Sequence, residues 1–238
     1  MTMQYLYTGP SWAKSSFPLE NTSTTNLAQE WRFNFFDASQ FASSVLDRVN
    51  YIKTLDNKLP IVWIYNEPFA DCEDITGISM AKLLQRYDWK NVWYECNQYC
   101  LSAIASLDRP ILLIGGHSDI IDCNHDNIIV ACDSWQKWLA QQANMPIDNG
   151  VVSVVMDDGG DFAIHRGWGA EIMHKYMHEH PEIDPDASLV ESIWDIFYFW
   201  KQLEKANLFY DTHPNFRANR LFAEFLFPTV EQFLKETQ

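Results

Sequence analysis

Short apolar runs alternate with stretches of helical periodicity along this chain. Met3 to Tyr7 is a β-prone run that stops at Thr8-Gly9-Pro10, where glycine and proline impose a turn. The polar stretch from Lys14 to Thr25 reads as a long surface loop. It leads to a short helix near Asn26 to Trp31 and a second strand around Arg32 to Phe36. Phe41, Val45, Leu46, Val49 and Ile52 then recur at the spacing of one helical face. Pro60 to Tyr65 and Pro110 to Ile114 are nearly continuous apolar strands, the second closed by Gly115-Gly116, with a helical region from about Ile78 to Leu107 between them. Val151 to Met156 predicts a fifth strand, ended by Asp157-Asp158-Gly159-Gly160. Helical patterns return at Gly169 to His178 and Ser188 to Ala206, and an amphipathic helix from about Phe216 to Leu234 closes the chain.

Strands alternating with helices predict a three-layer α/β/α fold, with about five parallel strands and helices on both faces. No repeat, low-complexity tract or composition break marks a linker, so residues 1–238 are expected to form a single domain. In such sheets ligands bind at the carboxyl ends of the strands. The loops Thr8 to Trp12, Asp37 to Gln40, Asn66 to Asp71 and Gly115 to Asp119 are therefore expected to converge on one rim.

Composition narrows the partners. The 238 residues are 47% hydrophobic and include 10 tryptophans, enough for a sizeable core. A formal net charge of −15, with no basic run to offset it, opposes phosphate backbones, so no nucleic-acid partner is expected. No stretch approaches the apolar length of a membrane span, and Met1-Thr2-Met3-Gln4 opens no basic-then-apolar leader. The expectation is a cytoplasmic chain without membrane insertion; oligomeric state is left open. Five cysteines, an odd number without a CxxC pair, fit reduced thiols. Cys96 and Cys100, four apart on a helix, read as small residues of a buried face. His174 and His178 have chelating spacing and His180 follows, but the glutamate of a HExxH site is missing, so no metal is expected.

The rim loops hold groups suited to acyl transfer. A serine hydroxyl is a weak nucleophile unless a base takes its proton, and the charge developing on the attacked carbonyl needs aimed donors. Ser11 follows the first strand. Asp211-Thr212-His213-Pro214-Asn215 precedes the last helix, and in an extended segment residues two apart point the same way. Asp211 is placed to hold Nδ1–H of His213 and leave Nε2 for Ser11. Pro214 keeps His213 out of the helix.

Gly9-Pro10-Ser11-Trp12-Ala13 resembles the GDS block of the SGNH hydrolase (GDSL esterase/lipase) superfamily, and Asp211-Thr212-His213-Pro214 with Phe222-Ala223-Glu224 resembles its last block. Asn34 to Val45 is similar to the second block and Ile64-Tyr65-Asn66 to the third. Pro10, Ser39 and Ile64 stand where the family usually has Asp, Gly and Gly. The resemblance implies a flavodoxin-like sheet, a Ser11–His213–Asp211 triad and an oxyanion hole made by the N–H groups of Ser11 and Ser39 with the Asn66 side chain. It implies an esterase that needs no cofactor, acting on an acyl group of a carbohydrate or a small ester. Passing the acyl group to a sugar hydroxyl would make the chain an acyltransferase; losing the chemistry would leave a binding or assembly protein.

The remaining polar groups read more simply. Gly115-Gly116-His117-Ser118-Asp119 cannot aim three consecutive side chains at one another, so His117 is expected to line the substrate site. Glu67 and Asp71 read as solvated loop charges, and the aromatics of Trp194 to Trp200 as core.

Overall fold

A strand buried along its length must be covered on both faces, and three such strands form the middle of the main sheet. β1 (Gln4–Thr8) is buried after its first residue, while β3 (Ile61–Tyr65) and β4 (Ile111–Gly115) are buried throughout. The mixed strands β2 (Asn34–Asp37) and β5 (Ile128–Cys132) take the edges. All neighbours are parallel, in the order β2-β1-β3-β4-β5, the flavodoxin-like order that the family resemblance implies. The computed structural model describes residues 3–9, 27–39, 44–65, 69–78, 82, 88–116, 120, 122–144, 147–148, 151–155, 161–164, 206, 208–210 and 213–237.

Alternation along the strands divides the core. Tyr5, Tyr7, Val62, Ile64, Leu112 and Ile114 face one way, against α1 (Leu27–Glu30), α5 (Trp135–Gln142) and α6 (Phe216–Glu236). Leu6, Ile61, Trp63, Tyr65, Ile111 and Leu113 face the other way, against α2 (Val45–Lys53) and the second half of α4 (Trp89–Ala105). Helix α3 (Phe69–Thr76) packs on α4. No described helix is long and apolar enough to cross a membrane.

Two expectations are corrected. Val151 to Met156 does not supply the fifth strand of the main sheet. Val151–Val155 is β7 of a separate antiparallel sheet, between β6 (Ile147–Asp148) and β8 (Asp161–Ile164), and the fifth place belongs to Ile128–Cys132. No described residue between β4 and β5 is helical, so the strand–helix–strand alternation that revealed the others is missing there. The second correction concerns Asp71, expected in a solvated loop. It lies in the first turn of α3 and is 1% exposed.

Candidate active site

The strand ends make the rim that the sequence implied. Thr8 of β1 is level with Trp63, two residues before β3 ends at Tyr65, and Tyr65 is level with Gly115 of β4. The chain leaves β1 toward β2 on one side and continues from β3 toward β4 on the other. The β1/β3 boundary is thus the switch point of the sheet, where open α/β sheets have their crevice. Hydrogen bonds across the rim hold adjacent strand ends together. Ala38 N–H donates to the Tyr7 carbonyl at 2.8 Å, Thr8 Oγ1 donates to the Ala38 carbonyl at 3.2 Å, and Gly116 N–H donates to the Tyr65 carbonyl. Gly9 leaves β1 at φ 154°, a backbone region costly for a residue with a Cβ, so a glycine suits the turn ahead of Pro10-Ser11.

The last helix starts at the same edge. α5 begins at Trp135, just past the carboxyl end of β5, and runs away from the rim. Phe222 stacks on Trp135 at 4.5 Å between centroids, and Phe225 stacks on Trp138, one turn further along both helices, at 5.3 Å. α6 therefore runs the same way as α5. At the opposite edge Phe33, just before β2, stacks on Phe227 at 5.7 Å. His213 and Pro214 form β10, paired antiparallel with β9 (Phe209–Tyr210), and His213 lies opposite Tyr210. Asn215 is the N-cap of α6, its Oδ1 accepting from the N–H of Ala218 at 3.0 Å. His213 is thus outside the helix and is not its capping residue.

Ser11, Asn66, His117 and Asp211 lie outside the described residues, as do the side chain of His213 and residues 174–180. The strands leading to Ser11, Asn66 and His117 end at one rim, and His213 lies three residues before α6 begins at that rim. Ser39 is described in full, and its surroundings differ from those of an open oxyanion donor. Its N–H donates to Asp37 Oδ1 at 2.9 Å and its hydroxyl donates to the same oxygen at 2.6 Å. The donor expected to meet a developing negative charge already holds a carboxylate, which repels such a charge. Asp37-Ala38-Ser39 is the spacing of an Asx turn, a signal present in the sequence.

Near the same rim lies a buried polar cluster that sequence reasoning missed. The Asp71 carboxylate accepts from the N–H groups of Val45 and Leu46, both at 2.8 Å. Arg48, 1% exposed, sits 5.5 Å over the Trp63 ring. Burial lowers its guanidinium to about 10, and nearby Asp71 opposes that shift. The Tyr65 hydroxyl donates to Asn97 Oδ1 in a short hydrogen bond, and burial raises Tyr65 well above the ordinary phenol range. Cys72, Cys96 and Cys100 are buried beside this cluster, and desolvation keeps all three as thiols. Among the described residues no group of histidine, cysteine and acidic side chains is arranged to hold a metal. A groove of about 550 Å³ between the α1–β2 turn and α6 is lined by Glu30, Arg32, Arg220 and Glu224 with Phe216 and Phe227; its charged walls balance, so it selects neither anion nor cation.

No protein-family model and no curated protein matches the chain. Among solved structures, it is similar to the crystal structure of protein YxiM from Bacillus subtilis, at 13% identity and a TM-score of 0.43. The likeness covers 96% of this chain and 56% of that one, so this chain spans little more than half of its neighbour's length.

Proposed function

We propose that the chain is a serine-dependent ester hydrolase that removes an acyl group from a carbohydrate or a small ester. Ser11 Oγ attacks the ester carbonyl and passes its proton to His213 Nε2, while Asp211 holds the imidazole through Nδ1–H. The N–H groups of Ser11 and Ser39 and the Asn66 side chain stabilise the oxyanion. The leaving alcohol takes the proton from His213, and water, deprotonated by the same imidazole, releases the acyl group from Ser11. For Ser39 to take part, Asp37 must swing away when substrate arrives. The observation that carries this reading is the rim itself: strands preceding Ser11, Ser39, Asn66 and His117 end on one edge of a switch-point sheet, where α6 also begins.

A second reading, that of a binding protein which kept the fold without the chemistry, is favoured by the Asp37 carboxylate on the Ser39 N–H. Fluorophosphonate labelling with mass-spectrometric mapping separates the two. The hydrolase is labelled at Ser11, loses the label in Ser11→Ala, and hydrolyses short-chain p-nitrophenyl esters at least about 1,000-fold faster than that variant. A folded sample that takes no label and shows equal rates with and without Ser11 leaves the binding protein.

A further inference from the structure

Helix α2 begins with its first amides all engaged. Ser44 Oγ accepts from the N–H of Asp47 at 3.0 Å. Asp71, reaching over from α3, takes the N–H of Val45 on Oδ2 and that of Leu46 on Oδ1. A carboxylate is favoured there by the exposed donors and by the aligned peptide dipoles. Ser44 alone would serve as an ordinary local cap. Asp71 instead links two segments 26 residues apart in the chain.

Those segments are the connections at the carboxyl ends of β2 and β3. Leaving β2, the chain passes Ser39 and enters α2 at Val45; leaving β3 at Tyr65, it passes residue 66 and enters α3 at Phe69. The carboxylate is 1% exposed, and Arg48 of α2, equally buried, offsets its charge from above Trp63 of β3. The Val45 contact is buried and the Leu46 contact half-buried, so the two connections are joined by a directional contact largely shielded from water.

We propose that Asp71 is a positioning residue: one buried carboxylate locks the β2–α2 and β3–α3 connections to each other and sets the spacing of the donors that Ser39 and Asn66 contribute. The inference rests on the ester-hydrolase reading for its catalytic meaning; the lock between the connections is testable without it.

The test compares Asp71→Asn with Ser44→Ala in the full chain, at a temperature where circular dichroism finds both folded. Asp71→Asn keeps the shape and one acceptor; Ser44→Ala removes the other cap of the same helix without touching α3. Hydrogen–deuterium exchange is followed over residues 37–46 and 64–71, with kcat and KM for a p-nitrophenyl ester alongside. Asp71→Asn is expected to speed exchange in both segments and to lower kcat about 10- to 100-fold, with KM changed less than about threefold. Ser44→Ala is expected to speed exchange in α2 alone and to leave kcat within about twofold. Equal losses of kcat in the two variants, or exchange confined to α2 in Asp71→Asn, overturns the proposal. Should the wild type take no fluorophosphonate label, the hydrolase reading fails, and the exchange pattern alone decides whether Asp71 joins the connections. Should Asp71→Asn not fold, Asp71→Glu keeps the charge beside Arg48 while moving the carboxylate by one methylene. Unchanged exchange in both segments of that variant counts against the lock.

Discussion

The two faces of the main sheet are covered by different means. Under α1, α5 and α6 the packing is aromatic. Trp135 stacks on Phe222, Tyr5 and Tyr7 lie within 6.4 Å of Trp31, and Trp31 Nε1 donates to the Ala223 carbonyl at 3.0 Å. Under α2 and α4 the helices contribute aliphatic side chains, Val45, Val49, Ile52, Leu101 and Ile104, which pack against Trp63 and Tyr65 of the sheet beside the buried charges of Arg48 and Asp71. Ring packing removes much apolar area from water and tolerates small shifts. Opposite charges buried near one another add little net stability, yet removing one of them leaves the other buried at a high cost. The first face therefore supplies cohesion, and the second sets the register of the connections at the rim.

The contrast is broken most directly on the aromatic face. Trp135→Ala removes a fully buried ring and the stack on Phe222, and the expected loss is about 3–5 kcal/mol by urea unfolding. A loss under about 1 kcal/mol would mean that the rings do not form one continuous layer. On the charged face, Arg48→Met conserves the aliphatic stem but leaves the Asp71 carboxylate buried against two amides. The same measurement should fall by about 2–3 kcal/mol, and no change would make this face an ordinary aliphatic one.

The smallest effect comes from pH and touches both faces. Burial raises Cys72 and Cys100 above the thiol value of 9.0, and Tyr5, Tyr7 and Tyr65 above the phenol value of 10.0. The folded chain holds these protons where the unfolded chain releases them, so the stability they contribute is complete well below pH 9 and drains away as pH rises. The loss should reach about 1 kcal/mol between pH 7 and pH 9 and steepen beyond it. Arg48 has the opposite sign, since its folded value of about 10 lies below the ordinary 12.5, and it offsets part of the loss only above pH 10. Urea unfolding at pH 7, 8 and 9 measures this; a flat profile would show the thiols to be solvated.

How legible each part was depends on how local its cause is. β3 and β4 were readable because a strand buried on both faces is apolar at nearly every residue, and β1 because its β-prone run stops at a Gly-Pro turn. α6 was readable because its buried positions, Ala218, Phe222, Leu226, Val230 and Phe233, repeat at helical spacing. β5 was missed because an edge strand is only partly buried and its connection to β4 carries no described helix. The run at Val151 was assigned to the wrong sheet because periodicity identifies a strand but not its partner. At the rim, the positions of Ser11 and His213 relative to strand and helix could be read from motifs and punctuation, whereas the grip of Asp37 on Ser39 was a local turn signal left unread.

By itself, the amino-acid order determined β1 to β4 and the closing helix, and that the chain leaves β1 through a glycine turn just before Ser11. These follow from backbone sterics and from burial patterns a few residues long. Only the tertiary structure decided that Ile128–Cys132 takes the fifth place in the main sheet, that α6 starts at the rim and that Asp71 is buried against a helix 26 residues away. The partner of a strand and the depth of a carboxylate are set by contacts between distant parts of the chain, which no short window of residues contains.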